Sequence, residues 1–418
     1  MIAGLLLVLG SLAPAQEESP LSSPEELRLD RRLDLDGIEA ALSSLAARAG
    51  EHGQLERLGL STGDRPIRLL RLTAPGPGAA LRPALLFAAT GAAQQDAEAV
   101  LAFGDLLVRG QAEDPVATLL AEHVVLLAPA LDPDARVGAP RATRFERNFP
   151  LGWRPAALRP GSGDVPLSEP ETRLAASLLD ATKNLALIVG VVDGCVALDS
   201  ESGPWPGAEL PPADREVLRR LAEANDRAEG PRLLPWDRLG SGGGGFLDYA
   251  YQAYGIYPLA WRSPDARTPD DLAAWADIVA RRTANLLLSL PRVSIEEEDL
   301  TELAPGLWQL DVAVRNGGTI PTLSALGAER FVGAELLLTL EGARVVATAR
   351  RSSAEEPFQS ARLHSKDGGA GLACGTLGGG ETRWLRLVLE AERGSELELR
   401  GAAARAGAAR LRVVLAGP

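Results

Sequence analysis

Four uninterrupted apolar runs constrain this chain more than any other feature: "ALLFAA" (84–89), "VVLLA" (124–128), "LALIVGVVD" (185–193) and "IYPLAW" (256–261). A strand with no polar alternation is buried on both faces, the state reached when helices cover a mostly parallel sheet. Segments of helical period fall between these runs. Asp36 reads as the cap of a helix carrying Ile38, Leu42 and Leu45, and Val100, Leu101, Phe103, Leu106 and Leu107 form a second apolar stripe. Ser168 and Glu171 have the spacing of a capping box for a helix to about Asp180. Thr268-Pro269 opens a long helix with Leu272, Trp275, Ile278 and Val279 inward, ending near Leu290-Pro291. Two more strands are expected near Gln54–Leu60 and Pro66–Leu72. Strands alternating with helices imply an α/β fold.

Beyond residue 291 the period changes. "LWQLDVAVRN", "AELLLTL", "RVVATAR", "WLRLVLEA" and "ARLRVVL" are short alternating strands between Gly-rich turns, which read as a small all-β sandwich. A chain of 418 residues exceeds what one core usually supports. The expected organisation is therefore a signal peptide over 1–15, a flexible segment over 16–30, an α/β domain over 31–291 and a β-sandwich accessory domain over 292–418. The apolar stretch Ile2–Leu12 followed by Ala13-Pro14-Ala15 suits a secretory signal and is too short to span a bilayer, although it lacks a basic start. A secreted or periplasmic location follows, with no membrane span in the mature chain.

The net charge of −13 argues against nucleic acid or an anionic membrane surface as partner. Lys183 and Lys366 are the only lysines among 43 basic residues, a bias that codon composition explains. Cys195 and Cys374 are the only cysteines, and they fall in different expected domains. His52, His123 and His364 read as ordinary surface residues, and none is placed to activate Cys195 as a nucleophile. "SGGGG" (241–245) lacks the Lys-Ser/Thr ending of a phosphate loop.

"LDPDARVGAPRATRFERNFPLGW" (131–153), "PLSEPETR" (166–173), "GPWP" (203–206) and "GGGFLDYAYQAYGIYPLAWR" (243–262) carry a resemblance. In order and spacing, over roughly residues 30–290, the chain resembles the zinc metallocarboxypeptidases of the carboxypeptidase A type. The trailing sandwich resembles accessory domains behind bacterial members. The resemblance implies an α/β/α sandwich with a central mixed, mostly parallel sheet, and removal of C-terminal residues from peptides with zinc as cofactor.

The family's metal positions have changed. Its Gly-x-His-Gly-x-Glu pattern puts the histidine on Ala93 and the glutamate on Asp96 when started at Gly91, and its later ligand histidine falls on Cys195. The general-base glutamate falls on Arg262. Catalytic zinc needs three protein ligands, and Ala93 supplies none. A guanidinium about 5 Å from a dication would add roughly 6 kcal/mol of repulsion at an effective dielectric near 20, and it cannot act as a base. No zinc and no catalytic residue are therefore expected.

The carboxylate-gripping Asn-Arg pair of the family reads Glu146-Arg147, and the upstream arginine is left open among Arg136, Arg141 and Arg144. The family's mobile tyrosine falls near Leu239. Arg147 with Arg144 and Arg262 matches an anion, because planar guanidinium grips carboxylate bidentately. Asp96 is the nearest acid expected beside Arg262, and Glu146 the second. The expected function is a catalytically inactive relative that binds a peptide or protein C-terminus, another anion or a protein partner. Two other readings stand beside it: an active zinc carboxypeptidase, and a structural or interaction protein acting through its sandwich.

Overall fold

A computed structural model describes residues 29, 31–76, 78–90, 95–110, 119–139, 143–192, 210–225, 231, 233–235, 245–262, 268–359, 362–363 and 371–416. The expected signal segment, Ala93, Arg141, Cys195, "GPWP", Leu239, His364 and most of the glycine run lie outside them.

The chain opens with α1 (Leu35–Ala49), then the hairpin β1 (Gly53–Leu60) and β2 (Pro66–Leu72). Next come β3 (Ala84–Ala88), α2 (Asp96–Arg109), β4 (Val124–Ala128) and the short α3 (Pro133–Arg136). They are followed by α4 (Pro170–Ala181), β5 (Leu185–Val192), α5 (Pro212–Asn225), β6 (Leu233–Pro235), α6 (Phe246–Tyr254), β7 (Tyr257–Arg262) and α7 (Pro269–Leu288). The strands form one seven-stranded sheet in the order β1-β2-β4-β3-β5-β7-β6. The β3–β4, β3–β5 and β5–β7 pairs are parallel, while β1–β2, β2–β4 and β6–β7 are antiparallel. The four apolar runs are the four central strands.

Successive residues of a strand point to opposite faces. Leu85 and Phe87 therefore join a core with α1, α2 and α7, and Leu86 and Ala88 join a second core with α4 and α6. Two helix starts differ from expectation. Asp34, not Asp36, caps α1, its carboxylate accepting from Gly37 N–H at 2.8 Å. The Ser168–Glu171 capping box does not form. Glu171 is buried and accepts from the Thr62 N–H (2.9 Å) and hydroxyl (3.1 Å), while Ser168 donates to Glu169 (2.8 Å). A tertiary donor has outcompeted the local one. Thr268 does cap α7, accepting from Asp271 N–H at 3.2 Å.

Residues 293–414 form two antiparallel sheets around a core of their own. The five-stranded sheet holds β8 (Val293–Ala304), β9 (Leu307–Asn316), β11 (Arg344–Arg351), β12 (Arg362–Leu363) and β14 (Thr382–Glu390). The four-stranded one holds β10 (Leu336–Glu341), β13 (Gly371–Gly375), β15 (Glu396–Ala403) and β16 (Gly407–Val414).

The sandwich also sends out a short helix that no apolar period announced, α8 (Ala325–Glu329), capped by Ser324. Ile320 and Leu326 pack into the core of the first domain rather than their own. Buried Asp214, on the first turn of α5, accepts from the hydroxyls of Tyr251 (2.7 Å) and Tyr257 (2.5 Å) and from the N–H groups of Ala325 (2.9 Å) and Leu326 (3.0 Å). One carboxylate thus joins α5, α6, β7 and the start of α8. Burial and the adjacent Asp214 charge raise both phenols above their usual range, so they stay donors.

Asp214→Ala would orphan two buried phenols and two helix-start amides. Loss of a buried charged partner costs about 3–5 kcal/mol, and the damage should reach the interface between the two cores. Chemical denaturation should show that loss together with a split of one transition into two. A cost below about 1 kcal/mol, the scale of one neutral hydrogen bond, would show that the carboxylate is not the joint between them.

Candidate functional site

The carboxyl ends of parallel strands are where open α/β sheets place ligands. Here β3, β5 and β7 lie side by side and in register, Ala88 beside Gly190 and Gly190 beside Ala260. Their ends therefore bring Ala88, Val192 and Arg262 to one edge of the sheet. Arg262 is the last residue of β7, opposite Val192, and is half-buried.

Asp96 is the first residue of α2 and fully buried. The sequence pointed to Arg262 as its partner; the structure gives it to Arg136. Asp132 caps α3 by accepting from Ala135 N–H (3.1 Å), and that one-turn helix aims Arg136 inward. Its guanidinium donates to Asp96 Oδ1 at 2.9 Å, to Glu98, and through Nε (3.0 Å) and Nη2 (2.8 Å) to the Leu33 carbonyl. The three charged side chains are at most 1% exposed. Glu98 also accepts from Leu33 N–H at 2.5 Å. Arg136 is thereby removed from the three candidates for the upstream anion-binding arginine. Just before Asp96, Gln95 holds a left-handed backbone (φ 61°), and its buried amide has no partner among the described residues. Both features are unfavourable and gather at sites rather than in plain scaffold.

The second wall is built around Asn148. This buried amide donates to the Ser162 (2.7 Å) and Val165 (3.0 Å) carbonyls and to the Ser168 hydroxyl (3.0 Å), and it accepts from Thr172 (2.8 Å). It staples the loop at 159–168 against the 3-10 turn Phe145–Arg147. Gly163 is required there, since its φ is +75° and a Cβ would sit 2.4 Å from Ser168 Oγ. Phe145, Phe149 and Phe246 stack at ring separations of 5.2–5.8 Å and fix the turn against the start of α6. On this frame Arg144 is exposed and Arg147 half-exposed, and Arg147 Nη1 donates to the Pro160 carbonyl at 2.7 Å.

Glu146, read from the sequence as the acid replacing an amide, has a second task. Its Oε2 accepts from Phe246 N–H at 2.9 Å, so it caps α6 from a turn a hundred residues earlier, where Gly245 offers no side chain. A carboxylate at a helix start is favoured by the axial dipole. Water still reaches Glu146, yet the surrounding protein withdraws solvent and pushes its carboxyl up to about 7. The Phe246 bond opposes the shift, and the charges of Asp248 and Asp132 add to it. Asn148 and the capping role of Glu146 were not foreseen; only the short-range "ERN" pattern marked them.

Residues 292–414 match the family model "Domain of unknown function (DUF8731)". None of the curated proteins compared with the chain matches it. Among solved structures, a carboxypeptidase A from Helicoverpa armigera is 19% identical with a TM-score of 0.50, covering 68% of this chain and 80% of that one. A metallo-carboxypeptidase from Burkholderia cenocepacia is 15% identical with a TM-score of 0.43, covering 60% and 69% respectively. The first likeness is one of fold: the α/β domain has the carboxypeptidase fold, with a β-sandwich behind it. Among the described residues no group of three or more His, Cys, Asp and Glu side chains is arranged to hold a metal, and no helix is long and apolar enough to cross a membrane.

Two measurements test this geometry. Arg136→Met leaves Asp96 and Glu98 buried without their cation and should cost about 3–5 kcal/mol, while adding Asp96→Asn and Glu98→Gln should recover more than half. Additive losses in urea melts would mean the three residues do not act as one unit. For Glu146, the raised folded value means the native state holds its proton more tightly than the unfolded chain. Its stabilisation is full below its ordinary 4.5 and is lost as pH rises through about 7. Wild-type Tm should therefore fall relative to Glu146→Gln between pH 5 and pH 8; a flat difference would contradict the shift.

Proposed function

We propose that this protein is a carboxypeptidase-fold chain that has lost hydrolysis and instead binds the carboxylate end of a peptide or protein, or a comparable anion. Arg147, Arg144 and Arg262 are the gripping residues. The observation that carries this reading is the buried Asp96–Arg136–Glu98 cluster. The position that resemblance assigns to a zinc ligand spends its carboxylate on a guanidinium 2.9 Å away.

The donors do not fit zinc. Ala93 has no ligand atom, Asp96 is engaged, and a fixed positive charge at Arg262 stands where a proton acceptor would be needed. No hydrolytic step is derived through the metal. What remains is recognition. Arg144 and Arg147 sit on a turn held by Asn148 and three phenylalanine rings, so little backbone freedom is lost when an anion arrives. A guanidinium pair meets a carboxylate through two parallel N–H donors, which a C-terminal amide cannot replace. An exported location, periplasmic or secreted, belongs to the same reading.

Elemental analysis of dialysed protein should find substoichiometric zinc, and no C-terminal residue should be released from peptides. In fluorescence anisotropy a peptide with a free C-terminus should bind at least roughly tenfold more tightly than its amide, the scale of one charge-assisted pair. One zinc per chain with release of a terminal residue would favour an active peptidase. Equal binding of acid and amide would overturn carboxylate recognition.

A further inference from the structure

The segments that lead into β3 and β4 face one end of the sandwich across a groove of about 1160 Å³. Ligand sites favour domain interfaces and join an apolar surface to a few polar groups. The floor follows from the register of three strands. Leu337 of β10 lies beside Ala402 of β15, and Ala402 beside Ala408 of β16. Leu336 and Leu338 are buried in the sandwich core, so this row points outward, with Leu337 46% exposed. Gly407 carries the row to the first domain: its φ is +79°, and a Cβ there would lie 3.5 Å from Pro83 Cδ. Leu81, 41% exposed, continues the apolar surface across the seam.

Two guanidiniums from opposite domains line the same groove. Arg82, between Leu81 and Pro83, donates to the Thr73 hydroxyl at 2.8 Å and to the Ala74 carbonyl. Arg292 is held through its backbone by Asn316 and Gly317, and its guanidinium lies over Gly317, where a Cβ would come 3.4 Å from Nε and Nη2. It reaches Glu122 at 3.2 Å, an exposed ion pair of the kind that contributes little. Buried His123 lines the groove beside them, its Nδ1 2.9 Å from the Leu119 carbonyl. Burial lowers its proton affinity; the Leu119 bond and Glu122 oppose this, and Arg292 and Arg82 add to it. His123 therefore senses the charge at both guanidiniums. Among the described residues that line the groove there is no Phe, Tyr or Trp and no side-chain amide, so a nucleobase finds little to stack on.

We propose that this groove binds a free long-chain carboxylate, its head at Arg82 and Arg292 and its aliphatic chain along the Leu337–Ala402–Ala408 row. An exposed apolar patch rimmed by polar groups marks an interaction site. Side chains no larger than a methyl at 402 and 408 leave width for a methylene chain. A single head charge suits two arginines of which one already shares Glu122. The net charge of −13 opposes an anionic membrane surface as the source of the head group. The groove lies at the starts of the parallel strands and Arg262 at their ends, so the site is separate from the one described above.

Isothermal titration of the full chain with dodecanoate should show saturable binding. Dodecanol, which lacks the charge, should bind at least roughly tenfold more weakly, about one charge-assisted pair. Acetate, which lacks the chain, should not bind measurably. Ala408→Trp, at an exposed position, should fill the floor and cost at least roughly tenfold while Tm stays unchanged. The chain has three histidines, so His52→Gln with His364→Gln leaves His123 as the single imidazole signal. Its NMR titration should move to higher pH when dodecanoate neutralises the two guanidiniums. No binding, or binding that leaves the His123 signal in place, overturns the proposal. Equal affinity for dodecanoate and dodecanol overturns the charged head, and equal affinity for acetate overturns the apolar floor. If a peptide with a free C-terminus displaces dodecanoate and Ala408→Trp binds as wild type does, the acid sits at the Arg147 turn; this proposal then fails and the carboxylate reading stands. Tighter binding of an acidic peptide, lost in Ala408→Trp, would give the groove to a protein partner and overturn the long-chain ligand.

Discussion

The Arg136 guanidinium is the interaction around which the start of α2 and the entry to α1 are organised. It sits between Asp96 and Glu98 at the start of α2 and donates backward to Leu33, just ahead of α1. Four parts of the chain meet there: the entry to α1, the start of α2, α3, and through α3 the exit of β4. A buried charge tolerates this only when its partners are charged and its donors satisfied. The planar guanidinium makes this cross-link by donating to two carboxylates and one carbonyl at once.

From that edge, α6 carries the geometry to the second domain. Glu146 caps its first amide. At the other end Arg405, Arg330 and Ser324, all from the sandwich region, donate to the carbonyls of Tyr254, Gly255 and Gln252. Burial brings the Arg405 guanidinium down to about 10, and its positive charge faces the negative end of the helix. Asp214 fastens the same helix sideways through Tyr251. The helix is therefore fixed at both ends by groups distant in sequence. The match of the family model to residues 292–414 alone does not make that segment a detached module, because Ile320 and Leu326 are core residues of its neighbour.

Legibility followed the range of the interactions. The central strands could be read because burial on both faces leaves an unmistakable apolar run, and α7 because Thr268 and Pro269 act within one turn. The helix starts at Asp34 and near Ser168 were misread where, at the first, two carboxylates compete for the same amides and, at the second, two donors compete for Glu171. At Ser168 the contest was settled by Thr62, over a hundred residues away. The short α8 was missed because one turn has no period to detect. The partner of Asp96 could not be read, because Arg136 reaches it from 40 residues along the chain.

By itself the sequence determined the fold class and the change to an all-β pattern after residue 291. These are matters of residue type and period, which chain order preserves. Only the tertiary structure decided that Arg136 meets Asp96 and that Glu146 caps a helix a hundred residues later. Each of those depends on which groups come within about 3 Å, the reach of a hydrogen bond, and that distance is set by how the sheet orders its strands, not by their order along the chain.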